Sequence, residues 1–100
     1  MTVQEFFAQL PEKADPEKIA GMSNTYVFDV EGVGEWTVAV DGGTVNVTDG
    51  ASEADCTISA SEETLLKIAN GEANPTTAYM SGKLKIQGDM GVALKLQKLF

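Results

Sequence analysis

Between Thr25 and Ser59 the chain is written with a period of two. Tyr26, Phe28 and Val30 alternate with Thr25, Val27, Asp29 and Glu31. Gly32 and Gly34 then mark a turn, after which Trp36, Val38 and Val40 alternate with Glu35, Thr37, Ala39 and Asp41. Asp41-Gly42-Gly43 is a hairpin signal, followed by Val45 and Val47. Beyond Asp49-Gly50, Cys56 and Ile58 alternate with Asp55, Thr57 and Ser59. Successive side chains on a strand point to opposite faces. Each segment therefore has one apolar and one polar face, as in an antiparallel sheet that is covered on one side and wet on the other.

The flanking segments supply the cover. Thr2 and Glu5 form a capping box for a helix whose stripe is Val3, Phe6, Phe7 and Leu10, with Pro11 as its expected end. Asp15-Pro16 opens a second short helix that Gly21 closes. Ser61 caps a helix with Glu62 and Glu63 in its first turn and Leu65, Leu66, Ile68 and Ala69 on its apolar side, and Gly71 stops it. Asn74-Pro75 starts another that ends at Gly82. Residues 83–87 read as a fifth strand, with Leu84 and Ile86 inward and the lysines outward. Asp89 can cap a last helix, in which Met90, Val92, Ala93, Leu94, Leu96, Leu99 and Phe100 are apolar. A belt that wide needs a cover of its own. The reading is one α+β domain over residues 1–100: a five-stranded, mainly antiparallel sheet with helices on one face.

Composition narrows function. The formal net charge is −8 and there is no arginine, which argues against nucleic acid and against simple electrostatic attraction to anionic membranes. There is no histidine, so the commonest base and metal ligand is missing. Cys56 is the single cysteine, falls on the inward side of its strand by parity, and reads as a buried thiol. The carboxylates are spread over wet faces and helix first turns. Neither the glycines nor the acids follow phosphate-loop or calcium-loop spacing. No catalytic residue, metal site or cofactor is expected. The first residues do not read as a signal peptide, and no stretch is apolar for long enough to span a membrane, so a cytoplasmic protein without stable membrane insertion is expected.

Ala54-Asp55-Cys56-Thr57-Ile58, the segment Leu65 to Gly71, Asn74-Pro75 with Ala78, and then Gly82-Lys83-Leu84-Lys85-Ile86, Gly88, Met90-Gly91 and Lys95-Leu96-Gln97 together resemble the sterol carrier protein family of non-specific lipid-transfer proteins. The resemblance covers residues 24 to 98. It implies an apolar tunnel between sheet and helices that takes sterols, fatty acids or fatty acyl-CoA, with the helix after the fifth strand as part of its wall. By that analogy Met90, Leu94 and Phe100 face the ligand or the tunnel mouth. The remaining candidates for its lining are Phe28, Trp36, Val38, Leu65, Ile68, Met80 and Ile86. Some members of the family end in a Ser-Lys-Leu-like tripeptide, and some approach membranes through a basic first helix. This chain reads Lys98-Leu99-Phe100 at its end, and residues 1–20 carry Glu5, Glu12, Asp15 and Glu17 against Lys13 and Lys18. The expected function is to bind and transfer an apolar lipid without catalysis. The alternative is an interaction module that buries the apolar C-terminal helix against a second copy or a partner enzyme.

Overall fold

The computed structural model describes residues 2–95. Two helices, α1 (Val3–Lys13) and α2 (Pro16–Ile19), precede a three-stranded meander, β1 (Ser23–Glu31), β2 (Gly34–Asp41) and β3 (Thr44–Asp49). Then come β4 (Cys56–Ser61), α3 (Glu62–Ala69), α4 (Pro75–Met80), β5 (Leu84–Gly88) and α5 (Met90–Leu94). The five strands lie in the order β3-β2-β1-β4-β5, every neighbouring pair antiparallel except β1 with β4, which run parallel at the centre. The sheet is thus mixed and mostly antiparallel.

Local chemistry explains most element ends. The Thr2 hydroxyl accepts from the Glu5 amide at 3.1 Å and donates to the Glu5 carboxylate at 3.2 Å, which closes the start of α1. Asp15, Ser61, Asn74 and Asp89 cap α2, α3, α4 and α5 through side-chain oxygens. One expectation is corrected. Pro11 does not end α1, which runs on to Lys13, while Leu10 lies buried beneath it and its carbonyl accepts from the Ala14 amide at 3.0 Å. Proline removes one amide in the last turn, and the burial of Leu10 and Ala14 outweighs that loss. α2 ends with Ala20 as its C-cap, and Gly21 follows directly, where a closing glycine is expected.

The alternation holds throughout. Ile86, Ile58, Phe28 and Trp36 are paired across β5, β4, β1 and β2, and so form one row on the helix-covered face. Val38, Cys56 and Leu84 share that face, whereas Thr37, Thr57 and Lys85 lie on the other. α1 contributes Val3, Phe6, Phe7 and Leu10 to the core above the sheet, and α3 contributes Leu65 and Ile68. The outer face is not uniformly wet. Val27 and Thr37 are neighbours there and both are buried. The chain crosses from β3 to β4 through residues 50–55. On the way the Thr37 hydroxyl donates to the Gly50 carbonyl at 2.7 Å and accepts from Ser52 at 3.0 Å.

Candidate functional site

α4, β5 and α5 are built as one unit. Asn74 caps α4 by accepting from the Thr76 and Thr77 amides, and Pro75 supplies a preset first helical residue. The Lys83 amide donates to the Ala78 carbonyl at 2.9 Å and turns the chain into β5, where Leu84 and Ile86 face inward. Gly88 then has a positive φ of 110° and lies tight against β4. A Cβ there would stand 2.6 Å from the Asp55 carbonyl oxygen and 2.9 Å from the Cys56 Cα, so no larger residue fits. The Asp89 amide donates to the same Asp55 carbonyl at 3.1 Å, and the Asp89 carboxylate accepts from the Gly91 and Val92 amides at 2.9 and 3.2 Å. One turn later the Tyr26 hydroxyl, from β1 beneath, donates to the Val92 carbonyl at 2.7 Å. Tyr26 is fully buried, and its phenol is held well above its usual range by that burial and by nearby Cys56 and Asp55. A short helix is therefore pinned at its start and at its middle.

Between these elements lies an apolar groove. Pro75, Thr76 and Tyr79 of α4, Leu84 and Ile86 of β5, and Met90, Ala93 and Leu94 of α5 line it. Its volume is about 20 Å³, room for roughly one water-sized sphere. Its rim is unusual for a soluble surface: Tyr79 is 41 %, Met90 38 % and Leu94 55 % exposed. Flexible methionine and leucine side chains at such a rim can re-pack around a guest.

Of the residues singled out from the sequence, Ile86, Met90 and Leu94 come together here. Phe28, Trp36, Val38, Leu65 and Ile68 are buried in the main core and do not line the groove. The space beside Trp36 is filled by Phe7 of α1, whose ring stacks on the indole with centroids 4.7 Å apart and 18° between planes. Phe7 also meets Phe28 at 5.4 Å and Phe6 at 5.1 Å. Met80 points away from the core and is 80 % exposed. Phe100, with Leu96 and Leu99, lies outside the described residues. Sequence reasoning missed Tyr79 and Pro75 as groove walls, because a six-residue helix is too short to show a helical period.

A second and larger cavity, about 390 Å³, lies on the far side of α4 against α3. Its walls include Glu63, Lys67, Glu72, Asn74 and Lys83. Glu63 and Lys67 pair at 3.0 Å, and that hydrogen bond, with the lysine charge, holds the Glu63 carboxyl below its ordinary range. This cleft carries both signs of charge.

Reactive groups are sparse. Cys56 is 2 % exposed, and burial, with smaller contributions from Asp55 and Asp89, pushes its thiol from 9.0 up to about 11. At neutral pH it is a protonated thiol and a poor nucleophile. No group of three or more His, Cys, Asp or Glu that could hold a metal ion occurs among the described residues.

Residues 3–100 match the SCP-2 sterol transfer family. Sterol carrier protein 2 of Bos taurus is 39 % identical over 102 residues, which cover 93 % of this chain and 19 % of that protein. Hydroxysteroid dehydrogenase-like protein 2 of Xenopus laevis is 36 % identical over 101 residues, covering 97 % of this chain and 24 % of that protein. The chain thus spans only about a fifth to a quarter of the length of these curated relatives. Among solved structures, the sterol carrier protein domain 2 of Helicoverpa armigera superposes with a TM-score of 0.80 at 32 % identity, covering 97 % of this chain and 84 % of that one.

Proposed function

We propose that this chain, which belongs to the SCP-2 sterol transfer family, binds an apolar lipid through the groove between α4, β5 and α5 and carries it without catalysis. The observation that carries the reading is the groove itself. Exposed Tyr79, Met90 and Leu94 stand over inward-facing Leu84 and Ile86, and nearly every wall is apolar. The space within is small, so entry requires α4 and α5 to part, with the lipid tail replacing side-chain contacts between them. Each buried methylene contributes about 0.8 kcal/mol, so a long acyl chain gains on the order of 10 kcal/mol gross. Immobilisation and opening take back much of that, leaving affinities around micromolar. The same arithmetic predicts weak selectivity, because one methylene discriminates by only about 1–3 kcal/mol. Fatty acids, fatty acyl-CoA and sterols are the ligand classes proposed.

A second reading, an interaction module, draws on the exposure of Met80 and Leu94. Native mass spectrometry of protein purified without detergent separates the two. Lipid retained on a monomer supports the carrier, and an empty tight dimer supports the module. Titration with a fluorescent fatty acid, competed by fatty acyl-CoA and by sterol, then measures affinity. Flat titrations with folded protein would remove the carrier reading.

A further inference from the structure

The α4 segment is a partition between two spaces. Asn74, Thr77, Ala78 and Ser81 face the larger cleft, while Pro75, Thr76 and Tyr79 face the groove. The first set recurs at intervals of three and four residues, which is one side of a helix, and the second set falls on the opposite side. The two helices that wall the groove are held very differently. α5 is tied to β1 by the Tyr26 hydroxyl and to β4 by the Asp89 amide, with Gly88 wedged at its base. Swinging it outward would leave the buried Tyr26 phenol without its acceptor, which is costly. Of its six residues, α4 buries only Ala78, a single methyl group. The side-chain bonds of Asn74 and Ser81 return to the backbone of α4 itself. Gly71 and Gly82 flank the segment, and a Cβ at either would meet nothing within 4 Å. Positions at element ends with free space around them are where a chain pivots.

We propose that α4 is the gate of the groove, and that it opens by swinging toward α3 into the cleft while α5 stays in place. The proposal rests on the groove as the lipid site and assigns its moving part. A groove of about 20 Å³ is far below the roughly 300–1,000 Å³ of small-molecule pockets, so the missing room must come from a neighbouring space. The cleft, at about 390 Å³, holds room of that order, and only α4 stands between the two. Its walls carry Lys67 and Lys83 together with Glu63 and Glu72, so closing it brings opposite charges together. Tyr79 and Pro75 travel with the gate. Leu84, Ile86 and Met90 form the fixed wall against which a lipid tail lies.

Locking the gate tests the proposal. Glu63→Cys with Ser81→Cys puts thiols on the α3 and α4 sides of the cleft, and a disulfide between them requires Cα atoms within about 7 Å. Cys56 is buried and does not compete. Mild oxidation of the full chain should form the bond, and added palmitate should speed its formation. The locked chain should take up a fluorescent fatty acid about tenfold faster than its reduced form, because the open state no longer has to be reached first. A second variant works in the opposite sense. A bulky maleimide on Thr77→Cys, which props the cleft, should slow uptake about tenfold. The same label on Met80→Cys, exposed and in neither wall, should leave uptake unchanged. Failure of the disulfide to form, or a locked chain that takes up neither fatty acid nor an apolar fluorescent dye faster than its reduced form, would overturn the gate. Uptake that Tyr26→Phe speeds and the Thr77 label leaves unaltered would overturn it in favour of α5. If no form takes fatty acid, yet the disulfide closes and the locked chain gains dye binding, the gate stands and the carrier reading falls.

Discussion

Phe7→Ala probes the interior directly. The Phe7 side chain is 1 % exposed and touches Trp36, Phe28 and Phe6. Truncating a buried phenylalanine costs about 3–5 kcal/mol in lost transfer energy and residual cavity. The stack on Trp36 adds roughly 0.5–1.5 kcal/mol beyond area burial. Domains of this size are stable by only about 5–15 kcal/mol, so the variant should remain folded but weakened. At about 5 °C per kcal/mol for a chain of this length, its melting temperature should drop by roughly 18–33 °C. The void would lie beside Trp36, at the far end of the row that starts at Ile86 in the groove. An apolar void of that kind stays dry and accepts apolar guests. Thermal melts with a small aromatic or alkyl guest added should show partial recovery for the variant and none for the parent. Trp36 emission should shift on guest addition only in the variant. A loss below about 1 kcal/mol, or a void that no guest stabilises, would refute the claim that Phe7 is what fills the space over Trp36.

Other perturbations follow from the same geometry. Leu94→Asp changes a side chain that is already 55 % exposed, so stability should fall by only about 1 kcal/mol while fluorescent fatty-acid binding weakens at least about tenfold. Tyr26→Phe removes the donor to the Val92 carbonyl; about 0.5–1.5 kcal/mol should be lost, and faster hydrogen exchange should appear first in α5. Gly88→Ala forces a Cβ against the Asp55 carbonyl in a left-handed backbone, and denaturant unfolding should report a stability lower by more than about 2 kcal/mol. Cys56 has its thiol raised from 9.0 to about 11 in the folded state, so the unfolded chain gives up its proton first. The stability this contributes is complete below about pH 9 and is lost as pH rises toward 11, by on the order of 2–3 kcal/mol. Tyr26, raised for the same reason, acts in the same direction above its ordinary value of 10.0. Cys56→Ala should abolish the slope between pH 9 and 10 in urea unfolding.

The sequence was informative wherever one residue's neighbours along the chain decide its environment. Glycine turns, the caps at Asp15, Ser61, Asn74 and Asp89, and the inward set Phe28, Trp36, Val38, Cys56, Ile58, Leu84 and Ile86 are all visible by eye. Pro11 misled because a local rule was outweighed by burial of its neighbours. The parallel pairing of β1 with β4 was not legible, since a period of two gives a strand's faces but neither its partner nor its direction. Val27 and Thr37 look wet by parity, yet both are buried, and Thr37 is bonded by Gly50 and Ser52 as the chain passes from β3 to β4. The groove was half legible. Ile86, Met90 and Leu94 announce themselves as apolar, but that Phe7 would fill the space over Trp36 depends on how α1 lies across the sheet, which no local pattern states.

The parallel seam at the centre of the sheet also sets an order of assembly. The β1–β2–β3 meander is stitched by two tight turns, so its pairings close over short stretches of chain. The seam has no such help: its bonds, such as Thr25 to Asp55, join residues thirty apart. The entropy of bringing the ends together must be met before any of those bonds form. In the native state Ser52 bonds Thr37 along the crossing that brings β4 alongside β1. Folding should therefore proceed from the meander outward, with formation of the β1–β4 seam as the late, rate-setting event. Substitutions in the β2–β3 turn would then slow folding, whereas substitutions in α4 and α5 would mainly speed unfolding. Brief openings that spare the meander would expose the groove from within, giving the native chain a kinetic route to its own interior that does not require global unfolding.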